Sequence, residues 1–337
     1  MTKKTIEKEA NVVEVNEEIM VVVDNGKMNM KAICEGDEVL YTNNIVKGKS
    51  QGGLLSENTH NVTFYEVDYT VGNSASAKNT EEGKANSEDI ITCLTVITKF
   101  IEEKKFPIKG MKVVLLYGES MNKYFNKTHK DFLEKQFVGE QKITRDGVEY
   151  EFEITELHIL PEGIGTLFED LASKKEIDEL YYITDIGGTT MNFLKVRKLL
   201  PVEGECFSEK YGVTFLAKKL KNFISQRGVV INLDVLKKNL IAGDSLGNKK
   251  LDELKKEFGL EVVAKLIDDT WLAQDVNIKE MISYQPFYIT GGGAELFQDE
   301  LEEYFKVDNK TVTIKPDSVW SNCRGFRNYG KYSLMKK

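Results

Sequence analysis

The sequence predicts an α/β fold, and three observations support this prediction. Segments with strand patterns and segments with helical spacing both occur along the chain. Three of the predicted strands run directly into a glycine turn. The length of 337 residues is enough for two domains, each with its own core, or for one large pseudo-symmetric unit.

The glycine turns are the strongest functional signal. They read Asp-Asn-Gly at 24–26, Asp-Ile-Gly-Gly-Thr-Thr at 185–190 and Gly-Gly-Gly at 291–293. A glycine after a strand lets backbone amides approach an anion, and a helix that starts there adds its positive end. The carboxylates of Asp24 and Asp185 can hold a divalent metal ion, usually through water when the ion is magnesium. One such turn alone is explained by ordinary turn formation, but the three together predict a nucleotide-phosphate clamp.

Other nucleotide-binding motifs are absent from the sequence. It contains no G-x-x-x-x-G-K-[ST] loop, no kinase G-x-G-x-x-G followed by a catalytic His-Arg-Asp, and no dinucleotide-binding G-x-G-x-x-G. The three glycine turns therefore belong to a different kind of phosphate site.

Composition narrows the function classes further. A formal net charge of -8 argues against a protein that binds nucleic acid over its whole face. The apolar residues form no run of about 18 or more, so we expect no transmembrane helix. Lysines and glutamates between Met1 and Glu18 stand where a signal peptide has its apolar centre, which predicts a cytoplasmic protein. The four cysteines are too scattered for a disulfide framework or a paired-cysteine metal site.

The first half of the chain is predicted to begin with a polar extension at 1–18 and a β-hairpin meander. An inserted subdomain at 42–88 follows, with one alternating strand at 62–69. The next predicted elements are a helix capped by Ser87 and ending before Phe106-Pro107, a strand at 113–116, a helix at 122–135, a hairpin at 137–154, a separate strand at 157–160, and a helix through Leu171 after Pro161-Glu162-Gly163.

The second half is predicted to start at the central glycine turn. Its predicted elements are strands at 181–184, 191–196 and 199–202, a helix after Gly212, a loop at 241–250, a helical pattern at 251–267, a strand at 287–290, a helix at 295–305, a strand at 312–314, and a final segment from Ser321.

These residues resemble the actin, Hsp70 and sugar-kinase ATPase superfamily, and within it most closely the ParM-like plasmid-segregating bacterial actins. Residues 24–31, including Lys31, resemble the first phosphate loop, and 185–190 resemble the second. Residues 289–296 resemble the adenosine motif. Glu162 stands where ParM-like proteins carry the acidic residue that orients the attacking water, and 322–325 resemble the second connecting segment.

The resemblance covers roughly 19–329 and departs from the family in three places. The inserted region 42–88 matches no family motif, and the extension before Ile19 is longer than the pattern needs. Arg324 occupies a position where small or apolar residues are usual. These departures concern filament contacts rather than the nucleotide fold.

The resemblance implies an α/β fold of two actin-like, ribonuclease H-like domains that flank an interdomain nucleotide cleft. Domain I would comprise 19–180 and 322–337, and domain II would comprise 181–321. The implied cofactors are Mg²⁺ and ATP, with GTP as the open alternative.

The resemblance also implies a set of site residues. Glu162 would orient the attacking water, and Asp185 would assist through the metal ion, which Asp24 and Asp185 would hold through water. The phosphates would lie against the amides of Gly26, Gly187 and Gly188. The implied cofactor-binding residues are Asp24, Asn25, Gly26, Asn29, Lys31, Gly187, Gly188, Thr189, Thr190, Gly291, Gly292, Gly293 and Ala294.

Each of these roles has a simpler explanation in the sequence. Glu162 can be explained as a solvated glutamate at the start of a helix, where its charge is favourable. Lys31 can be explained as a surface residue of a strand. The three histidines, His60, His129 and His158, are dispersed and predicted to be surface or strand residues. The lysines at 218–221 and 255–256 fit solvated helix faces.

The function that the resemblance implies is an actin-like ATPase that polymerises with ATP and disassembles after hydrolysis. Its partners would be further copies of itself and a DNA-binding adaptor of the ParR type that recognises plasmid centromere DNA. The first alternative is a small-molecule kinase of the same superfamily, for which Asp185 would be the general base. A membrane-bound cell-shape actin is the second, and the absence of a clear amphipathic membrane helix at either terminus disfavours it.

Overall fold

The computed structural model describes residues 18–27, 29–50, 58–73, 75, 86–171, 179–241, 245–306 and 311–334. The polar extension predicted before Glu18 and parts of the region 42–88 lie outside these residues. Within them the chain forms two β-sheets with helices around and between them. The predicted α/β fold is confirmed.

In the described part of the chain, nine strands form the first sheet. They are β1 (Glu18–Asp24), β2 (Asn29–Cys34), β3 (Asp37–Thr42), β4 (Ile45–Lys47), β5 (Thr59–Phe64), β6 (Val67–Gly72), β7 (Lys109–Glu119), β8 (Gly139–Arg145) and β9 (Val148–Pro161). Their order is β3-β2-β1-β7-β9-β8-β5-β6-β4. The central strands β1, β7 and β9 are mutually parallel, so the ends of β1 and β9 lie at the same edge of the sheet.

The second sheet has six strands among the described residues. They are β10 (Leu180–Ile186), β11 (Met191–Arg197), β12 (Leu200–Pro201), β13 (Phe207–Glu209), β14 (Phe287–Thr290) and β15 (Val312–Ile314). The order is β12-β11-β10-β14-β15, and β13 also pairs with β11. Because β10 and β14 are parallel, with Asp185 opposite Thr290, the turns that follow these two strands are neighbours.

The described helices pack on and between the two sheets. They are α1 (Asn86–Glu103), α2 (Met121–Tyr124), α3 (Lys127–Phe137), α4 (Gly165–Leu171), α5 (Val213–Gln226), α6 (Leu233–Ile241), α7 (Lys249–Phe258), α8 (Ala264–Leu272), α9 (Ile278–Met281), α10 (Gly292–Leu296), α11 (Gln298–Phe305) and α12 (Ser321–Tyr329). None of them combines the length and the apolar character that a bilayer-spanning segment requires.

The apolar side chains form three clusters. One lies on the first sheet under α1 and α3, and another joins the second sheet to α5–α8 and α11. The third lies between the sheets and includes Val22 from β1, Ile183 from β10, Leu167 from α4 and Phe326 from α12. The helices α4 and α12 therefore form a shared layer through which the two sheets contact each other.

Helices α4 and α12 cross at two glycines. A Cβ atom on Gly325 would collide with the carbonyl oxygen of Gly165, and a Cβ atom on Gly165 would lie within 2.6 Å of the carbonyl oxygen of Asn322. The two backbones are therefore in direct contact, which only glycine allows at this separation.

Several predicted elements of the first half are wrong in detail. The single strand at 62–69 is the hairpin β5–β6, and β4–β6 belong to the nine-stranded sheet. The separate strand at 157–160 is part of β9, which is continuous and contains a bulge at Thr155. The helix at 122–135 is the pair α2 and α3, and Ser87 lies inside α1 rather than before it.

The second half also differs from its prediction in places. The helical pattern at 251–267 is divided by a π-helical turn at Gly259–Val263, and the helix at 295–305 is divided into α10 and α11. Ile241 ends helix α6 instead of opening a loop, while 242–244 lie outside the described residues. The predicted strands at 181–184, 287–290 and 312–314 are confirmed as parts of β10, β14 and β15.

Candidate nucleotide-binding site

The first glycine turn joins β1 to β2 as a tight hairpin. Asp24 is buried, with 2% of its surface exposed, and the amide of Gly26 donates to the carbonyl of Asp24 at 2.9 Å. The side-chain amide of Asn43 donates to Asn25 Oδ1 at 3.1 Å and to the carbonyl of Gly26 at 2.9 Å. The turn is therefore held rigidly by its own backbone and by a neighbouring loop, and Asn29 opens the strand that leaves it.

Lys31 lies opposite Asp24 in the β1–β2 hairpin. Its Nζ atom is 2.6 Å from Asp24 Oδ2 and donates to the carbonyl of Val319 at 2.9 Å. Burial lowers the pKa of Lys31, but the attraction of Asp24 outweighs this effect, and the net pKa is raised. Lys31 is therefore charged at neutral pH and paired with Asp24, not a surface strand residue.

The second glycine turn joins β10 to β11. Its aspartate, Asp185, is 5% exposed, and the amide of Gly187 donates to the carbonyl of Thr190 at 2.9 Å. The start of helix α5 packs on this turn, where the amides of Val213 and Thr214 donate to the carbonyls of Gly187 and Gly188, both at 2.9 Å. The positive end of α5 therefore points at the turn.

The amides of two predicted phosphate contacts are already engaged. Closure of the two hairpins uses the amides of Gly26 and Gly187. Among the described residues, no backbone hydrogen bond uses the amides of Gly188 and Thr189. These two amides, with the half-buried Thr189 and Thr190 side chains, are the groups of this turn that remain for an anion.

The third glycine turn leads from β14 into the short helix α10. Gly291 has φ +87°, and a Cβ atom there would collide with Asp185 Oδ1. Gly292, Gly293 and Ala294 form the start of α10, and Gly293 and Ala294 are buried. The third turn therefore lies directly against the carboxylate of the second, as their parallel strands require.

Glu162 is placed next to both aspartates by the end of β9. Its Oε2 atom accepts a hydrogen bond from Asn192 Nδ2 at 3.3 Å. The amide of the following residue, Gly163, donates to Asn322 Oδ1 at 2.8 Å, and Asn322 Nδ2 donates to Asp185 Oδ2 at 3.2 Å. The side chain of Asn322 therefore connects the candidate catalytic turn to the second glycine turn.

The carboxylates of the site repel one another. Burial, followed by the charge of Asp24, raises the pKa of Asp185 to about 6, while Lys31 and Asn322 oppose this rise. Burial, followed by the charges of Asp24 and Asp185, raises the pKa of Glu162 well above its usual value. The net charge of the ionised site is negative, and a divalent cation relieves such repulsion.

The donor set fits magnesium. Carboxylate oxygens of Asp24 and Asp185 are hard ligands, and magnesium is usually held by one or two carboxylates, by water and by substrate phosphates. In the described part of the chain, no group of three or more His, Cys, Asp or Glu side chains is arranged to hold a metal ion by itself. The residues that would hold a magnesium ion, together with water and phosphate, are Asp24 and Asp185.

Two family models match the chain in succession. The model described as "Actin like proteins N terminal domain" matches 23–165, and the model described as "Archaeal actin homologue MreB-like, C-terminal" matches 183–303. The chain belongs to the actin-like proteins. The first match contains the first glycine turn and Glu162, and the second contains the other two turns of this actin-like protein.

Solved structures of actin homologues share the fold. Ta0583, an archaeal actin homologue, has a TM-score of 0.72 with 18% sequence identity, covering 94% of this chain and 100% of its own. The pSK41 ParM protein has a TM-score of 0.68 with 19% identity, covering 93% and 97%. The subunit of the Alp12 filament structure has a TM-score of 0.67 with 22% identity, covering 95% and 99%. No curated protein matches the chain.

Sequence reasoning missed the groups that connect the site residues. Asn192 and Asn322 contact Glu162 and Asp185 across long sequence separations, and Ser208 Oγ donates to Asn192 Oδ1 at 2.6 Å. His129 is buried on helix α3 against Glu119, so its prediction as a surface or strand residue is wrong. Of these residues, only Asn322 was indicated by the sequence, because it lies in the segment 322–325 that resembles the second connecting segment of the actins.

Proposed function

We propose that the chain is an ATPase that polymerises into filaments with ATP and disassembles after hydrolysis. The observation that supports this most strongly is the convergence of Asp24 and Asp185, which end strands of two different sheets, beside Glu162. A phosphate chain bound there would contact both sheets at once. Its hydrolysis would therefore change a contact between the two halves of the molecule.

The chemistry of the site supports phosphate hydrolysis. Lys31, half-buried and paired with Asp24, supplies positive charge near the phosphates. Magnesium, when bound, supplies further positive charge to the phosphate oxygens. Glu162 orients the attacking water and accepts its proton. Asn192 fixes the side-chain position of Glu162 through its hydrogen bond.

Structural relatives support both nucleotide binding and self-association. Ta0583 has a crystal structure in complex with ADP, which supports a nucleotide site in the same fold. Alp12 and AlfA, the latter from a Bacillus subtilis plasmid, have filament structures, which support self-association. A head-to-tail contact between identical subunits produces an open filament.

We further propose that the filament segregates plasmid DNA in the cytoplasm through a DNA-binding adaptor of the ParR type. The plasmid origin of AlfA and the ParM neighbour support this role. The net charge of -8 supports an indirect connection to centromere DNA, because direct phosphate contacts need clustered Lys and Arg. A pelleting assay with labelled plasmid tests this step: the plasmid should sediment with the filaments only when a ParR-type adaptor is added, and sedimentation without an adaptor would contradict it.

Light scattering and sedimentation of the purified protein with magnesium and ATP, ADP or GTP test the main proposal. We expect filaments only with a nucleoside triphosphate, followed by loss of scatter as phosphate is released. The GTP arm determines nucleotide preference. Absence of filaments at several micromolar, together with ATP turnover only when a small hydroxyl or carboxylate substrate is added, would replace the proposal with the kinase alternative.

A further inference from the structure

A buried acid–imidazole pair lies directly behind the candidate catalytic glutamate. Glu119 ends β7 and is 3% exposed, and His129 on α3 is 8% exposed. Their side chains meet with His129 Nε2 2.9 Å from Glu119 Oε2. Neither residue belongs to the three glycine turns.

The main chain connects this pair to Glu162. Strands β7 and β9 are parallel, and Glu119 lies opposite Pro161 at the end of their ladder. The next residue, Glu162, donates its amide hydrogen to the carbonyl oxygen of Glu119 at 2.9 Å. The backbone from which the Glu162 side chain projects is therefore anchored on Glu119.

The side chain of Glu119 is itself fixed in place. Its Oε1 atom accepts from the amide of Ser120 at 2.9 Å and lies 3.7 Å from Lys123 Nζ, while its Oε2 atom faces His129. Burial raises the pKa of Glu119, but the hydrogen bond from His129, the charge of Lys123 and the Ser120 amide outweigh burial and lower the net pKa. Glu119 is therefore an ionised carboxylate at neutral pH although it is buried.

Helix α3 presents His129 to Glu119. Asn126 caps this helix, and its Oδ1 atom accepts from the amide of His129 at 3.0 Å. The imidazole therefore projects from a fixed first turn, and its bond to Glu119 connects α3 to the end of the sheet where Glu162 lies. A hydrogen bond to a charged group is stronger than one between neutral groups, which favours this arrangement.

We propose that the Glu119–His129 pair is a positioning unit that holds Glu162 where it orients the attacking water. The proposal rests on the proposed hydrolytic function. Two geometric links support it: the backbone hydrogen bond from Glu162 to Glu119 at 2.9 Å, and the contact of the Glu119 side chain with His129 at 2.9 Å. His129 acts through Glu119 and does not contact nucleotide.

Two amide variants test this proposal because they differ only in reach. In His129→Gln the side-chain amide occupies the position of Nε2 and can donate to Glu119, whereas in His129→Asn it is too short. We expect His129→Asn to lower the turnover number for phosphate release by between about 10-fold and about 100-fold, the effect of a misplacement of about 1 Å or less. His129→Gln should restore turnover, and the affinity for a fluorescent ATP analogue should be unchanged in both.

His158→Ala is the matched control. His158 is also paired with a glutamate, Glu156, at 3.0 Å, but this pair lies on the exposed face of β9. We expect its turnover to equal that of the wild type. Lys123→Gln is a second variant. It is less disruptive to folding than a change at His129, because 31% of the Lys123 side chain is accessible to solvent. It should lower turnover with unchanged nucleotide affinity.

The outcomes separate this proposal from the proposed function. If the wild type hydrolyses ATP and Glu162→Ala does not, the proposed function is supported. If turnover is then unchanged in both His129→Asn and Lys123→Gln, the positioning role alone is overturned. A purely structural role predicts lower thermal stability with equal losses of turnover and nucleotide affinity, and it also overturns the proposal. Absence of turnover in the wild type would overturn the proposed function and this inference with it.

Discussion

Replacing Asp185 with asparagine is expected to stabilise the nucleotide-free protein while removing its hydrolytic activity. Asp185 is buried beside Asp24, and burial and this negative neighbour raise its pKa to about 6 from 3.8. An acid whose pKa is raised by folding binds protons more tightly in the folded state, so its ionisation at neutral pH opposes folding. Asparagine keeps the shape and can still accept from Asn322, but it carries no charge.

The size of the expected stability change follows from the pKa shift of Asp185. A change of about two pKa units corresponds to about 3 kcal/mol, so Asp185→Asn should unfold with a free energy up to about 3 kcal/mol higher at pH 7. For the wild type, stability falls as pH rises from 3.8 through 6. The carboxyl of Asp185 should therefore make the wild type about 1 kcal/mol more stable at pH 5 than at pH 7. The variant should lack this contribution.

Urea unfolding of the nucleotide-free protein at pH 5 and pH 7 measures both quantities. Asp269→Asn is the control, because Asp269 is exposed on α8 and its removal should leave the pH dependence unchanged. A variant at position 185 that is less stable than the wild type at pH 7, or that keeps the full pH dependence, would refute the reasoning. Added magnesium and ATP should reverse the order of stability, because they bind the wild type more tightly.

Three further variants test the rest of the site. Glu162→Ala should bind ATP and polymerise but release phosphate slowly in a coupled assay, and normal release would remove Glu162 from the mechanism. Gly291→Ala combines φ +87° with a collision against Asp185 and should lose at least about 2 kcal/mol of stability in urea. Gly204→Ala has φ +80° in open space, so an equal loss there would contradict the packing argument. Lys31→Ala leaves a buried carboxylate unpaired and should lose roughly 3 kcal/mol and weaken ATP binding in a titration, whereas wild-type stability would contradict the ion pair.

The three glycine turns were predictable because their chemistry is local. An aspartate and a glycine directly after an apolar strand define a turn in the sequence itself; β14 ends at the predicted residue, and β10 ends two residues later than predicted. Their proximity in space depends on which strands are neighbours. The pairing of β10 with β14 joins positions more than 100 residues apart, and no local pattern in the sequence indicates it.

The missed hairpin in the region 42–88 shows where local signals fail. Its turn is made by Tyr65 and Glu66, which both have positive φ, at 46° and 62°. Such turns usually carry Asn-Gly or Asp-Gly, and a Tyr-Glu pair in the middle of an alternating segment predicts a continuous strand. The bulge at Thr155 caused the opposite error: it changes the alternation of side chains inside one unbroken strand, so β9 was predicted as two separate strands.

Helix α6 was missed although a signal was present. Asn232 Oδ1 accepts from the amides of Asp234 at 2.8 Å and Val235 at 3.3 Å, the arrangement of a helix N-cap. The contacts of Asn192 and His129 had no comparable signal, because each depends on how a side chain of one element packs against another element. Local chemistry therefore identified the phosphate turns but not the side chains that hold them together.

The crossing of α4 and α12 has a consequence for mutational tolerance. A new side chain in a packed interior is often accommodated when its neighbour becomes smaller. At Gly165 and Gly325 this route is closed, because a side chain on Gly325 would meet the backbone of Gly165 and one on Gly165 would meet the backbone of Asn322, so neither faces a side chain that could become smaller. A suppressor of a substitution at either position must move a whole helix and, with it, one sheet relative to the other. In a saturation mutagenesis library, these two positions should therefore be intolerant together and show no pairwise rescue.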